Sequence, residues 1–223
     1  MTKALVFFRS LPVLLRSLRD YLGTSGVSRR VPITDLQGIA AFIQMRSSHV
    51  AQTSLYGYLR TRSGALYPKL FDDDGFMVSV NIAKWQMWIA CLSDLSLYTG
   101  GLILVRTGAP HAGVGALIET AAAGVLDEVG HPEDAGNQFA ASRDRLLERI
   151  RSTNWEEISD DASAFTESPN ALVEWAPVID ELKELDSEVV RNSVRFHWQD
   201  VRRDLRRDLD AEAVLTDYDS KSE

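Results

Sequence analysis

Trp85-Gln86-Met87-Trp88-Ile89-Ala90-Cys91-Leu92-Ser93-Asp94-Leu95-Ser96-Leu97-Tyr98-Thr99-Gly100-Gly101-Leu102-Ile103-Leu104-Val105 is the longest weakly charged stretch of the chain, 21 residues with one acid near its middle. A helix of this length reaches across a bilayer, so the choice lies between a membrane span and a core helix. An Asp at the centre of a span costs roughly 2.5–3.5 kcal/mol on insertion scales, and Gln86, Ser93, Ser96 and Thr99 add to that cost. The stretch therefore reads as a buried helix, with the region Trp85–Val129 at the centre of the fold. The helical run covers roughly 76–98 and is rich in aromatics, with Phe76, Trp85, Trp88 and Tyr98. Gly100-Gly101 breaks or tightens it. Leu102–Val105 is its end or a short strand, and Val78–Ile82 carries the same ambiguity.

Working outward, helix is the dominant period. Residues 3–22 place Leu5, Phe8, Leu11, Leu15, Leu18 and Leu22 at steps of three and four, with Arg9, Arg16 and Arg19 off that stripe. Gly23 to Gly26 stops the run, and Ser28–Pro32 reads as a basic linker. Thr34 caps a second helix, whose stripe Leu36, Ile39, Ile43 and Val50 continues to Leu55 and Leu59. It stops near Ser63-Gly64 and is long enough to be two helices bending near Ser47-Ser48. Ala112–Val129 has the small-residue composition of a close-packed helix, closed by Gly130 and Pro132. Ala135–Ser152 is helical, Thr153–Asn170 reads as a loop, and Pro169 or Asn170 opens the last helical region, which runs to about Asp210. The expected fold is all-α, an irregular bundle of six or seven helices with a basic amphipathic N-terminal helix and a long acidic C-terminal helix. Residues 1–26 form the basic helix, 27–213 a single helical domain, and 214–223 a disordered tail.

Charge is laid out unevenly along this order. Residues 1–69 carry ten Lys and Arg against Asp20 and Asp35, whereas residues 127–223 carry twelve against twenty-five acids. Such segregation presents one face to anions and another to water or a basic partner. The overall pI near 5.1 argues against nucleic acid as a partner. A single cysteine excludes an internal disulfide and any multi-cysteine zinc site, and its apolar surroundings make Cys91 a buried, inert thiol. Residues 4–8 begin like a secretory leader, but Arg9, Pro12, Arg16 and Arg19 follow too soon. The expected location is the cytoplasm, or the periphery of a membrane.

Catalytic templates are missing: no Gly-x-Ser-x-Gly, no Walker A loop, no Gly-x-Gly-x-x-Gly and no His-Glu-x-x-His. Gly108–Gly115 with His111 precedes a helix but lacks a lysine for a phosphate, so it reads as a turn. Ser48 and His49 are neighbours, which points them about 100° apart on a helix, a poor arrangement for nucleophile and base. His197 lies between Phe196 and Trp198 and reads as a satisfied, partly buried histidine. Glu128-Val-Gly-His131 is a single Glu-x-x-His at a helix end, where carboxylate-bridged metal sites need two on facing helices. Asp72-Asp73-Asp74 fails as a calcium loop, because Phe76 and Ala83 stand at ligand positions, and reads as a helix cap. No metal or cofactor is expected.

Two segments carry binding chemistry. Lys3, Arg9, Arg16 and Arg19 beside the leucine stripe match an interfacial helix, each cation near an anionic leaflet adding about 1 kcal/mol. The opposing reading docks that helix on the core. Tyr56, Tyr58, Arg60 and Arg62, with Trp198, supply the aromatic and arginine side chains that interface hot spots use. The functional expectation is a non-catalytic helical interaction or assembly protein, peripheral to a membrane surface through its N-terminal helix and engaging a protein partner. Self-association through the stripe Val194, Trp198, Val201 and Leu205 is a further option. The alternative is a small esterase-like hydrolase whose Ser, His and Asp meet only in the fold. An enzyme needs a concave pocket holding His49 or His111 beside a carboxylate; an adaptor needs an exposed apolar patch.

Overall fold

The computed structural model describes residues 32–222, and the basic segment with Lys3, Arg9, Arg16 and Arg19 lies outside them. Seven helices form the described fold: α1 Leu36–Ser63, α2 Asp74–Thr107, α3 His111–Val129, α4 Gln138–Ser152, α5 Glu167–Trp175, α6 Asp180–Asp208 and α7 Ala211–Ser222. Single helical turns at Gly64–Leu66, Tyr67–Leu70 and Trp155–Glu157 complete it. The all-α bundle expected from periodicity is the fold observed.

α2 is the axis of the bundle. Every residue from Gln86 to Leu104 is buried, because α1, α3, α4 and α5 pack around it. A helix apolar on all sides needs such a sheath. It is long and apolar enough to cross a membrane, yet 89% of its most apolar 18-residue window is buried within the protein. The helix runs straight through Gly100-Gly101, so Leu102–Val105 is its last turn and Val78–Ile82 its second; neither is a strand. The two glycines serve close approach. A Cβ at Gly100 would stand 2.4 Å from the Trp155 ring, and one at Gly101 would stand 2.4 Å from Cγ2 of Ile158. The connector between α4 and α5 lies flat on α2 there.

Helix ends follow local chemistry. Asp35, the residue after Thr34, caps α1 by accepting from the Gly38 amide at 2.7 Å. Asp73 does the same for α2 through Phe76, also at 2.7 Å, which fulfils the capping role read for the triple aspartate. α1 ends at Gly64 with φ 51 and is one helix of 28 residues, unbroken at Ser47-Ser48.

Three expectations need correction. The last helical region is two helices, since α5 ends at Trp175 and α6 begins at Asp180 across Ala176-Pro177. Proline has no amide to donate and pushes its predecessor out of helical backbone. Residues 214–222 of the tail expected to be disordered belong to α7, with Ala211 and Val214 buried and Leu215 and Tyr218 packed on the core. Asp210 starts it by accepting from the Ala213 amide. Finally, Val194, Trp198, Val201 and Leu205 face the protein's own core and are not free to pair between copies.

One short pairing closes the described fold. Ile33 donates its amide to the Asp208 carbonyl at 2.8 Å and accepts from the Asp210 amide at 2.9 Å, a parallel bridge to Leu209. Arg106 at the end of α2 donates to the Leu209 carbonyl beside it, at 2.7 Å.

Candidate functional site

The most densely bonded polar group of the interior is the Asp94 carboxylate, 0% exposed at the middle of α2. One of its oxygens accepts from Nη1 of Arg149 at 2.8 Å and from the amides of Thr166 and Glu167. The other accepts from the amide and hydroxyl of Ser168. The amides belong to the start of α5, so a carboxylate sits at the positive end of that helix, with a guanidinium beside it. Trp198 of α6 donates Nε1 to the Ser168 hydroxyl at 2.9 Å. Burial pushes the Asp94 carboxyl up from its ordinary value, against the pull of Arg149 and Ser168 toward the ionised form. Ser168 is thus committed in both directions, and the group fastens four helices together, α2, α4, α5 and α6.

Above this network a cleft of about 420 Å³ opens between α2, α4 and α5, lined among others by Gln86, Ser93, Ser142, Arg145, Arg149 and Trp175. Ser142 donates to Oε1 of Gln86 and accepts from Arg145. Arg149 spends its guanidinium on Asp94, Ser93, Thr166 and the Ala164 carbonyl. Neither His49 nor His111 borders this cleft.

The histidines fall elsewhere. Nδ1 of His197 on α6 lies 2.9 Å from the Ser54 hydroxyl on α1, and the Arg46–Asp204 ion pair at 2.7 Å bridges the same two helices. Burial lowers both histidine pKa values, helped at His49 by Arg46 and at His197 by His49, with Asp200 pulling His197 back. A neutral imidazole beside a serine hydroxyl has the distance of a base and its nucleophile. Ser54, however, is 3% exposed and held within the α1–α6 seam, where no substrate reaches it. Ser48 donates instead to the Gln44 carbonyl. Sequence reading singled out Ser48-His49 and missed Ser54-His197, since 143 residues separate that pair and both lie in unremarkable helical stripes.

The remaining motifs resolve into structure. His111 is exposed at the start of α3, and His131 stands edge-on to Phe139 just beyond its end. Among the described residues no group of three His, Cys, Asp or Glu is placed to hold a metal. Cys91 is wholly buried, and burial holds its thiol well above the ordinary value.

Of the residues read as partner-binding, Trp198 is a correction: it is 1% exposed, stacked on Phe165 and bonded to Ser168, so it belongs to the core. Tyr58 donates to Asp186 at 3.1 Å, and Arg62 forks onto the same carboxylate, fastening the end of α1 to α6. Tyr56 is half-buried and Arg60 exposed. The structure does not gather these five residues into one surface.

A different surface is apolar. Leu185, Val189 and Phe196 project from the outer side of α6 with 75%, 72% and 65% of their surface exposed, and Ile179 before the helix is exposed too. The opposite side of α6 carries the buried stripe Val190, Val194, Trp198, Val201 and Leu205. The helix is therefore apolar on two sides, and only one meets the bundle. In the sequence, Leu185 and Val189 have the same helical spacing as the inward stripe and cannot be told from it.

Comparison with protein-family models, with curated proteins and with solved structures returns no match.

Proposed function

We propose that the chain is a non-catalytic helical interaction protein that works by assembly, with the outer side of α6 as its binding face. The observation that carries this reading is the trio Leu185, Val189 and Phe196, large apolar side chains left in water along one line of one helix. Single exposed leucines are ordinary on a protein surface; an aligned apolar stripe marks an interaction site. The bonded polar groups of the interior support the same reading. Ser54 and His197 bond to each other between α1 and α6, Ser168 bonds Asp94, and Asp94 and Asp204 pair with arginines. We also propose that Lys3, Arg9, Arg16 and Arg19 draw the protein to an anionic membrane surface, so that assembly takes place beside it.

The test is a photo-activated cross-linking side chain in place of Val189, with Ala140 on the exposed side of α4 as the control position. Irradiation in the cells that make the protein should give a discrete macromolecular adduct at 189 and none at 140. Absence of an adduct at 189 overturns the reading.

A further inference from the structure

We infer that the partner on the outer side of α6 is the same side of a second copy of this chain, the two helices running antiparallel. This rests on the interaction reading above and names its partner. The argument is the charge order along α6. Among its exposed charges, the first part of the helix carries Asp180, Glu181, Glu184 and Glu188, and the later part carries Arg195, Arg203 and Arg207 with Asp200. A parallel copy would set the acidic start against an acidic start and Arg195 against Arg195. The same helix attracts an antiparallel copy at both ends.

The register follows from the spacing. Leu185, Val189, Asn192 and Phe196 step by four, three and four along the outer side, the spacing of a coiled-coil seam, and this seam lies opposite the buried stripe. A two-fold axis between Val189 and Asn192 sets Leu185 of each copy against Phe196 of the other, and Val189 against Asn192. The residue just before each outer position lies along one edge of the seam, and in an antiparallel pair that edge meets itself. Glu188 of each copy then faces Arg195 of the other, giving two equivalent ion pairs from one substitution site. Both heads are at the surface: Glu188 lies 4.0 Å from Arg191, and Arg195 donates to the neighbouring Asn192. The contact is isologous, as a closed dimer requires, and the two apolar ends shield each other from water.

The test is sedimentation equilibrium on the full chain, beside Glu188→Arg, Arg195→Glu and the doubly exchanged variant. A reversible dimer is expected. Each single change turns two attractions into two repulsions and should weaken self-association by about tenfold, and the double exchange should restore it. Orientation is read from cysteine pairs, since the native Cys91 is buried. Leu185→Cys mixed with Phe196→Cys should give a disulfide-linked heterodimer, while neither variant links to itself. Self-linking by Leu185→Cys would show a parallel pair and overturn the inference. A chain that stays monomeric but forms an adduct with a different macromolecule through position 189 overturns the second-copy partner and leaves the interaction reading intact. Loss of the 189 adduct removes both.

Discussion

Asp94 in the middle of α2 and Ser168 in the first turn of α5 share two hydrogen bonds through one carboxylate oxygen, from the serine amide at 2.8 Å and from its hydroxyl at 2.6 Å. With Arg149 on the other oxygen, the carboxylate replaces the water that would otherwise satisfy the start of α5. Removing the charge leaves Arg149 and several amides facing a poorer acceptor. Asp94→Asn should therefore lower unfolding stability by about 3–5 kcal/mol, and Ser168→Ala by about 1–3 kcal/mol. The double variant should lose less than the two together, because they act on one network. Urea denaturation measures all three, and an Asp94→Asn chain within about 1 kcal/mol of wild type would show that the network does not hold α5 in place.

The two histidines between α1 and α6 set a direction for acid sensitivity. Burial lowers the folded pKa of both below the ordinary 6.5. As pH falls through the unfolded value, the unfolded chain takes up protons that the folded one refuses, so stability is present above that value and declines below it. The melting temperature should fall between about pH 7 and about pH 5, and His49→Gln with His197→Gln should flatten that fall. An unchanged slope in the double variant would assign the acid response to the carboxylates instead.

Gly100→Ala isolates the close approach of Trp155 to α2. Alanine is the better helix former by roughly 1 kcal/mol, which alone would stabilise. The added methyl meets the indole ring, and overpacking a core costs about 1–3 kcal/mol. The expected result is net destabilisation in the native background and a smaller one in a Trp155→Ala background, where Ile118 Cγ1 still stands 3.0 Å from the added carbon. A stabilised Gly100→Ala in the native background would mean that the connector yields easily.

The basic N-terminal segment is tested with vesicles of anionic lipid. Changing Arg9, Arg16 and Arg19 to Glu should release the protein at low salt, and high salt should release the native chain. Flotation that ignores both changes would remove the membrane from the proposed function.

What the sequence disclosed was whatever repeats locally. The apolar run around α2, the stripes of α1 and α3, the glycine stops and the Asp73 cap all depend on neighbours within a few turns. Asp94 was legible as an obstacle to membrane insertion, but its partners Arg149 and Ser168 lie 55 and 74 residues away. No local pattern announces a carboxylate that caps another helix. α6 misled for a related reason. Its inward and outward stripes both have helical spacing, and only the position of α5 decides that Trp198 is core while Phe196 meets water. The break between α5 and α6 at Pro177 is local chemistry of the same kind as the glycine stops, since a proline there has no amide to continue α5.

The bridge between Ile33 and Leu209 fixes how the domain would answer a mechanical load. A pull transmitted through the chain at residue 32 and at residue 210 falls first on two backbone hydrogen bonds between parallel segments, loaded in shear, with Arg106 bracing the Leu209 side. The six helices α1 to α6, which lie between those two points of the chain, carry no tension until it parts. The parallel bridge is a knot tied around α1 to α6, with α7 laid over the outside of it.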